Sequence, residues 1–265
     1  MLRLLRTALG RLWYFVQGIV VRKNNSAFLR EWVDQLAGSV YPLSDSPAPK
    51  FLYVCIDPSG GGASDMAMTA SFFTPVGGVV IVGCDYASTT TDEAQENLVQ
   101  GFISRLRERP TLRNTRIVVI CERNYGGTVL AHRIATICAS FKPISSFSAD
   151  TDAKLRRIGV VLTEDVKDRY RDNLAMALRT GTVFLSTPFV STRHADEAKA
   201  MLVAQIRAYR FDLVPRKVHG VEAPPRKKWG GKTAGMSDDL AITTQMALFW
   251  PGVHQHEGDK CLVDC

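Results

Sequence analysis

Two apolar runs that each close on a single acid set the terms for this chain. Phe51-Leu-Tyr-Val-Cys-Ile56 ends in Asp57, and Ile117-Val-Val-Ile-Cys121 ends in Glu122. Short, β-branched-rich runs bounded by turn residues read as buried strands, and Pro58-Ser-Gly-Gly-Gly62 supplies the turn after the first. A third acidic site, Ser237-Asp-Asp-Leu240, opens the last helix-like stretch. Acids at the mouths of three buried elements are what a two-metal centre for phosphodiester cleavage requires.

The pattern between these sites alternates strand and helix. Strands are expected at 51–57, about 66–73 and 78–85, joined by links short enough for an antiparallel meander. A helix follows from about Thr91 to Arg107, with Asp92 and Glu93 in its first turn and Pro110 beyond its end. Strand 116–121 is apolar enough to be covered on both faces, and Gly126 to Ser140 reads as its crossover helix. A short strand near 143–148, helices at about 165–179 and 195–209, and a final helix from Asp238 to Trp250 complete the pass. This order predicts an α/β fold of the ribonuclease H-like class: a mixed sheet, three antiparallel strands and then parallel ones, flanked by helices on both faces. The Pro/Ser-rich stretch Tyr41-Pro-Leu-Ser-Asp-Ser-Pro-Ala-Pro49 reads as a linker. The domains expected are therefore an N-terminal helical segment with linker over 1–48, the main domain over 49–252, and a disordered tail over 253–265.

Composition narrows the class little. With 265 residues, 46% of them apolar and 22% charged, the chain can bury a substantial core. A net charge of +7 suits a polyanionic partner without demanding one. The six cysteines show no CxxC spacing, so neither a zinc cage nor a disulfide framework is expected; they read as reduced thiols of an intracellular protein, although Cys261 and Cys265 lie close enough for a local pair. Residues 1–21 mix Leu and Arg and then turn apolar, and the uninterrupted part is too short to span a bilayer. An amphipathic helix against a partner domain is the expectation there, with interfacial membrane or targeting roles as the alternative.

In an open α/β sheet, side chains at the carboxyl ends of neighbouring strands share one crevice, which would bring Asp57 and Glu122 together if their strands pair in parallel. The last helix then carries Asp238 or Asp239 across it. Asp239 lies three and seven residues before Ile242 and Met246, a stripe that packs inward, whereas Asp238 lies on the flank, able to cap the helix or bind a second metal. Such carboxylates repel one another without cations, and two Mg²⁺ or Mn²⁺ ions would neutralise them. Asp65 is an auxiliary ligand candidate, and equally a turn residue. Each acid alone has an ordinary reading: turn initiation for Asp57, an exposed strand end for Glu122, N-capping for the aspartate pair.

The segment between 206 and 232 holds Arg207, Arg210, Arg216, Lys217, Arg226, Lys227, Lys228 and Lys232 against Asp212 and Glu222. Its latter part, with Pro215, Pro224, Pro225 and Gly230-Gly231, reads as a basic loop leading into the aspartate pair. Arg216, Lys217, Arg226, Lys227, Lys228 and Lys232 are the DNA-contact candidates, through phosphates and with little sequence preference. Trp229 either stacks on a base or anchors the loop. Gly230-Gly-Lys-Thr233 is not a nucleotide-binding P-loop, because Arg226 occupies the position of the first glycine.

Asp57-Pro58, Glu122-x-Asn124 leading to Ala131-His-Arg-Ile-Ala135, Leu162-Thr-Glu-Asp-Val-Lys167, Thr182-Val-Phe-Leu185 and Gly231-Lys-Thr-Ala-Gly-Met-Ser-Asp-Asp-Leu240 together resemble the nuclease domain of the large terminase subunit of herpesviruses and tailed phages. The resemblance spans about residues 50–250. It implies a metal-dependent endonuclease that cuts concatemeric viral DNA during packaging, with Asp57, Glu122 and the Asp238/Asp239 pair as the metal-binding acids. It also implies double-stranded DNA, a packaging ATPase domain or subunit, a small terminase subunit and a portal as partners, and no membrane. The location would be the host nucleus for a herpesvirus-like protein and the host cytoplasm for a phage-like one. The Gly-Gly-Gly after Asp-Pro departs from the family pattern, and the ATPase that normally precedes this domain is absent, so a partner would supply the motor or the chain is an isolated domain. Two rival classes are an actin- or sugar-kinase-like ATPase, using Asp57 and its glycines for phosphate, and a non-catalytic DNA-binding assembly module.

Overall fold

The computed structural model describes residues 25–59, 65–88, 91–124, 127–150, 157–218, 221–230 and 237–264. The elements are α1 (Arg30–Gly38), β1 (Val40–Pro42), β2 (Phe51–Asp57), β3 (Met66–Phe73), β4 (Val79–Ala87), α2 (Asp92–Arg107), β5 (Arg116–Cys121), α3 (Gly127–Cys138) and β6 (Ile144–Phe147). There follow α4 (Glu164–Thr180), β7 (Val183–Val190), α5 (Ala195–Ala208), β8 (Arg210–Val218), β9 (Val221–Gly230), α6 (Asp239–Glu257) and β10 (Leu262–Asp264). Eight strands form one sheet in the order β1-β7-β4-β3-β2-β5-β6-β10. β2, β3 and β4 are the expected antiparallel meander, and β5 and β6 extend it in parallel.

Strand periodicity divides the core between the two faces of the sheet. Leu52, Val54 and Ile56 of β2, with Ile117, Val119 and Cys121 of β5, pack against Val99, Phe102 and Leu106 of α2 and Ile134 of α3. The alternate residues Tyr53, Cys55, Val118 and Ile120 face α6 through Met246, Ala247 and Trp250. Continuing that alternation by one step turns Asp57 and Glu122 toward the α6 face, at the edge where the strands end.

Two buried hydroxyls of β3 set the position of α6 on this face. Thr69 Oγ1 lies 2.8 Å from Thr243 Oγ1, and Ser71 Oγ donates to the carbonyl of Ala247 at 2.8 Å. The second bond also explains why the helix does not stop at Trp250, as its sequence suggested. Pro251 lies inside α6 and has no N–H for the carbonyl four residues earlier, which is that of Ala247. Ser71 supplies the missing donor, and the helix runs on to Glu257.

Three boundaries differ from the sequence expectation. The stretch taken for a linker does not separate the N-terminal segment from the sheet: β1 pairs with β7, and Val33, Leu36 and Leu43 are buried. The supposed basic loop is a two-stranded antiparallel ribbon of β8 and β9. Its prolines are accommodated because each strand of a two-stranded ribbon is an edge strand, and the register shifts between Val214 and Arg216, where Pro215 stands. The expected disordered tail is built in, since β10 pairs antiparallel with β6 and Cys261 and Leu262 are buried. β7 also went unread as a strand; it lies parallel to β4. The expected helix within residues 1–21 lies outside the described residues, as do Gly60–Gly62 and Lys232. Cys55, Cys84 and Cys121 are buried free thiols, and Cys265, the other half of the local pair considered for Cys261, lies outside the described residues. Among the described residues no helix is long and apolar enough to cross a membrane.

Candidate active site

Parallel pairing of β2 with β5 sets Ile56 beside Cys121, and the amide of Glu122 donates to the carbonyl of Ile56 at 2.9 Å. Asp57 and Glu122 therefore leave the sheet side by side. Their side chains share a hydrogen bond, which acts to raise the pKa of Asp57 and to lower that of Glu122. Burial is the first cause that lifts Asp57 well above the usual carboxylate range, and the charges of Glu122, Asp239 and Asp238 add to it. Glu122 is also raised, first by burial and then by Asp239, against the pull of its bond with Asp57 and of the Lys167 ammonium.

Asp239 reaches this pair because the Thr69 and Ser71 contacts hold α6 with its N-terminus at the carboxyl edge. The backbone amide of Leu240 donates to Gln205 Oε1 of α5 at 2.8 Å, which fixes the first turn of α6. Asp239 Oδ2 accepts from the amide of Asp65 at 3.0 Å and from Ser237 Oγ at 2.5 Å. Asp238 occupies the N-cap position without a side-chain capping bond. It is buried, and a β-carbon on Gly230 would stand 2.8 Å from its Oδ2, so a larger residue at the end of β9 would require that carboxylate to shift. Capping, the ordinary reading of the pair, is not what the Asp238 side chain does.

Four acids thus act on one another at one edge of the sheet: Asp57 feels Glu122, Asp239 and Asp238. Among the described residues no three His, Cys, Asp or Glu side chains are already closed into a metal-binding group. Asp239 is turned instead to Asp65 and Ser237, and the side chains of Asp57 and Glu122 are hydrogen-bonded to each other. The donor set nevertheless fits a hard divalent cation, being all carboxylate oxygen with a charge crowding that a cation relieves. Asp65, the auxiliary candidate, supplies a backbone N–H to Asp239, and its own carboxylate accepts from Ser88 Oγ.

Lys167, in the first turns of α4, was not singled out from the sequence as a site residue. It acts on Glu122 while lying 3.8 Å from Glu164. Thr163 caps that helix through Val166, and this Thr-x-x-Val-Lys start was the available signal. Of the DNA-contact candidates, Arg216 and Lys217 lie on β8, and Arg226, Lys227 and Lys228 on β9, with Lys228 exposed and opposite Asp212 in the register. Trp229 anchors the ribbon: its ring stacks on Tyr209 and carries the Arg171 guanidinium 4.0 Å from its centroid.

No protein-family model matches the chain, and no curated protein does. Solved structures do. The human cytomegalovirus terminase nuclease domain, manganese-soaked and inhibitor-bound, superposes with a TM-score of 0.65 at 16% identity, covering 90% of this chain and all 100% of that one. The same viral domain in another structure gives 0.62 at 18% identity over 83% of this chain and 93% of that one. The nuclease domain of the large terminase subunit gp2 of bacterial virus Sf6 gives 0.51 at 14% identity over 84% and 98%. The chain has the ribonuclease H-like fold of these terminase nuclease domains.

Proposed function

We propose that this chain is a metal-dependent nuclease of a viral DNA-packaging machine, an endonuclease that cuts concatemeric double-stranded DNA with little sequence preference. The observation that carries the reading is the mutual electrostatic contact of Asp57, Glu122, Asp239 and Asp238 at the carboxyl edge of a sheet with the terminase-nuclease fold. The manganese-soaked state of the cytomegalovirus domain supports the choice of cation.

Asp57, Glu122 and Asp239 would hold the divalent ions, two Mg²⁺ or Mn²⁺ in this reading, with Asp238 beside them. When bound, such ions supply charge stabilisation at the phosphate and an activated water. The chain's own part is to gather these carboxylates at one edge of the sheet, where burial and their mutual charge hold the pKa of Asp57 up until a cation relieves them. Asp65 and Ser237 orient Asp239, and the Lys167 ammonium tempers the negative field at Glu122. The basic ribbon begins beside Asp238, at Gly230, so phosphates that it holds lie next to the acids. The partners in this reading are double-stranded DNA, a packaging ATPase, a small terminase subunit and a portal.

Supercoiled plasmid incubated with the chain and Mg²⁺ or Mn²⁺ should be nicked and linearised, and chelator should stop the reaction. ATP turnover without cleavage would favour the phosphate-loop ATPase instead. DNA binding with neither activity would favour the assembly module.

A further inference from the structure

Antiparallel pairing places Asp57 opposite Ala67, and Ala67 opposite Tyr86, so the three form one transverse row across β2, β3 and β4. Residues directly opposite in a sheet share a face, and neighbouring strands lie about 4.8 Å apart, which puts the Tyr86 position about 10 Å from that of Asp57. Ala67 packs with Leu240 and Ala241 of α6, and half-buried Tyr86 joins the same cluster, which identifies the shared face as that of the acids.

Arg193 lies over this ring, its guanidinium carbon 4.8 Å from the centroid. The turn that carries it is fixed from below. The buried carboxylate of Asp85 accepts from the Thr192 amide at 2.7 Å and from the Thr192 hydroxyl, clamping the end of β7 to the end of β4. The side chain of Arg193 itself is exposed. A guanidinium lying on an aromatic face keeps its N–H edge free, in the planar fork that matches a phosphate.

We propose that Arg193, seated on Tyr86, is a phosphate-binding residue of the DNA site, gripping the backbone on the β4 side of the acids. On the other side of Asp57, Glu122 at the end of β5 feels the Lys167 ammonium. A backbone lying across that row meets Arg193 a few phosphates from the one at Asp57, since successive phosphates of a strand advance about 3.4 Å along the helix axis. The inference rests on the nuclease reading and adds a contact outside the ribbon.

The test measures binding of a short DNA duplex in chelator over a range of salt concentrations, for the wild type, Arg193→Gln and Arg193→Lys, with Mn²⁺-dependent plasmid cleavage measured separately. Arg193→Gln should lower the slope of log affinity against log salt by about 1 and raise KM, while Arg193→Lys keeps the slope. Tyr86→Leu, which keeps the charge but removes its seat, should raise KM and leave the slope near wild type. If Arg193 serves only to offset Asp196 and Glu197 in the first turn of α5, Arg193→Gln will change the melting temperature and not the slope, which overturns the proposal. An unchanged slope in a chain that still cuts plasmid sinks this contact alone. A wild type that binds DNA without cutting it sinks the nuclease reading and leaves the contact standing.

Discussion

Replacing Ser71 by Ala tests how α6 is held over the sheet. Ser71 and Ala247 are both fully buried, and the Ser71 hydroxyl is 2.8 Å from the Ala247 carbonyl. Pro251 cannot donate to that carbonyl, so the substitution leaves a buried acceptor without its donor, at a cost of about 1–3 kcal/mol. For a domain of this size that corresponds to a fall in Tm of roughly 2–12 °C. The decisive comparison is the same substitution in a Pro251→Ala background. Alanine restores the N–H at position 251, the ordinary helical bond to Ala247 becomes available, and Ser71→Ala should then cost less than about half as much. Chemical denaturation of the four proteins closes the cycle and gives the coupling between the two sites directly. Equal losses in both backgrounds would refute the role of Ser71 as the donor that replaces Pro251. The single Ser71→Ala variant should also lose part of its Mn²⁺-dependent cleavage, because the same contact holds Asp239 at the edge of the sheet.

Asp57→Asn should abolish cleavage yet stabilise the metal-free protein at neutral pH. The folded-state pKa of Asp57 is raised, so its contribution to stability is present below the ordinary aspartate range and is lost as pH rises through the folded value. Thermal melts in chelator should show that loss in the wild type, and a melting curve flatter with pH in the variant. Addition of Mn²⁺ should raise the Tm of the wild type and leave Asp57→Asn and Glu122→Gln nearly unmoved, since a ligand that binds only the folded state stabilises it by mass action. A triple Lys227→Gln, Lys228→Gln, Lys232→Gln variant should lower the salt slope of duplex binding by up to about 3; an unchanged slope would move the binding surface off the ribbon.

The central part of the fold was readable because its residues keep strict periods. Phe51–Asp57 and Arg116–Cys121 are continuous apolar strands whose alternate side chains fill opposite faces, and the acids at their ends follow from that alternation. The convergence of Asp239 was readable from its spacing to Ile242 and Met246, although the hydroxyls that set its height on the sheet were not, since Thr and Ser in a strand carry no signal of their partner. What escaped were elements stabilised by remote partners. β1 and β10 are only three residues each and exist because β7 and β6 accept them. In the ribbon, Pro215, Pro224 and Pro225 argued for a loop, and two edge strands tolerate what a central strand would not. Tyr86 lay just past the end of the strand expected at 78–85 and Arg193 just before the helix expected at about 195–209, and the cation–π seat appears only when β7 is placed beside β4.

The two three-residue strands that finish the sheet also guard it. A long outer strand offers a row of unsatisfied amides and carbonyls to any other extended chain, and β1 and β10 offer almost none. Trimming the protein at the proline-rich stretch, where its sequence invites a cut, would strip away β1 and leave the eight residues of β7 as the new border. Such a fragment would keep every acid of the site and still be prone to self-association, a practical reason to retain Asn25–Leu43 in any shortened form.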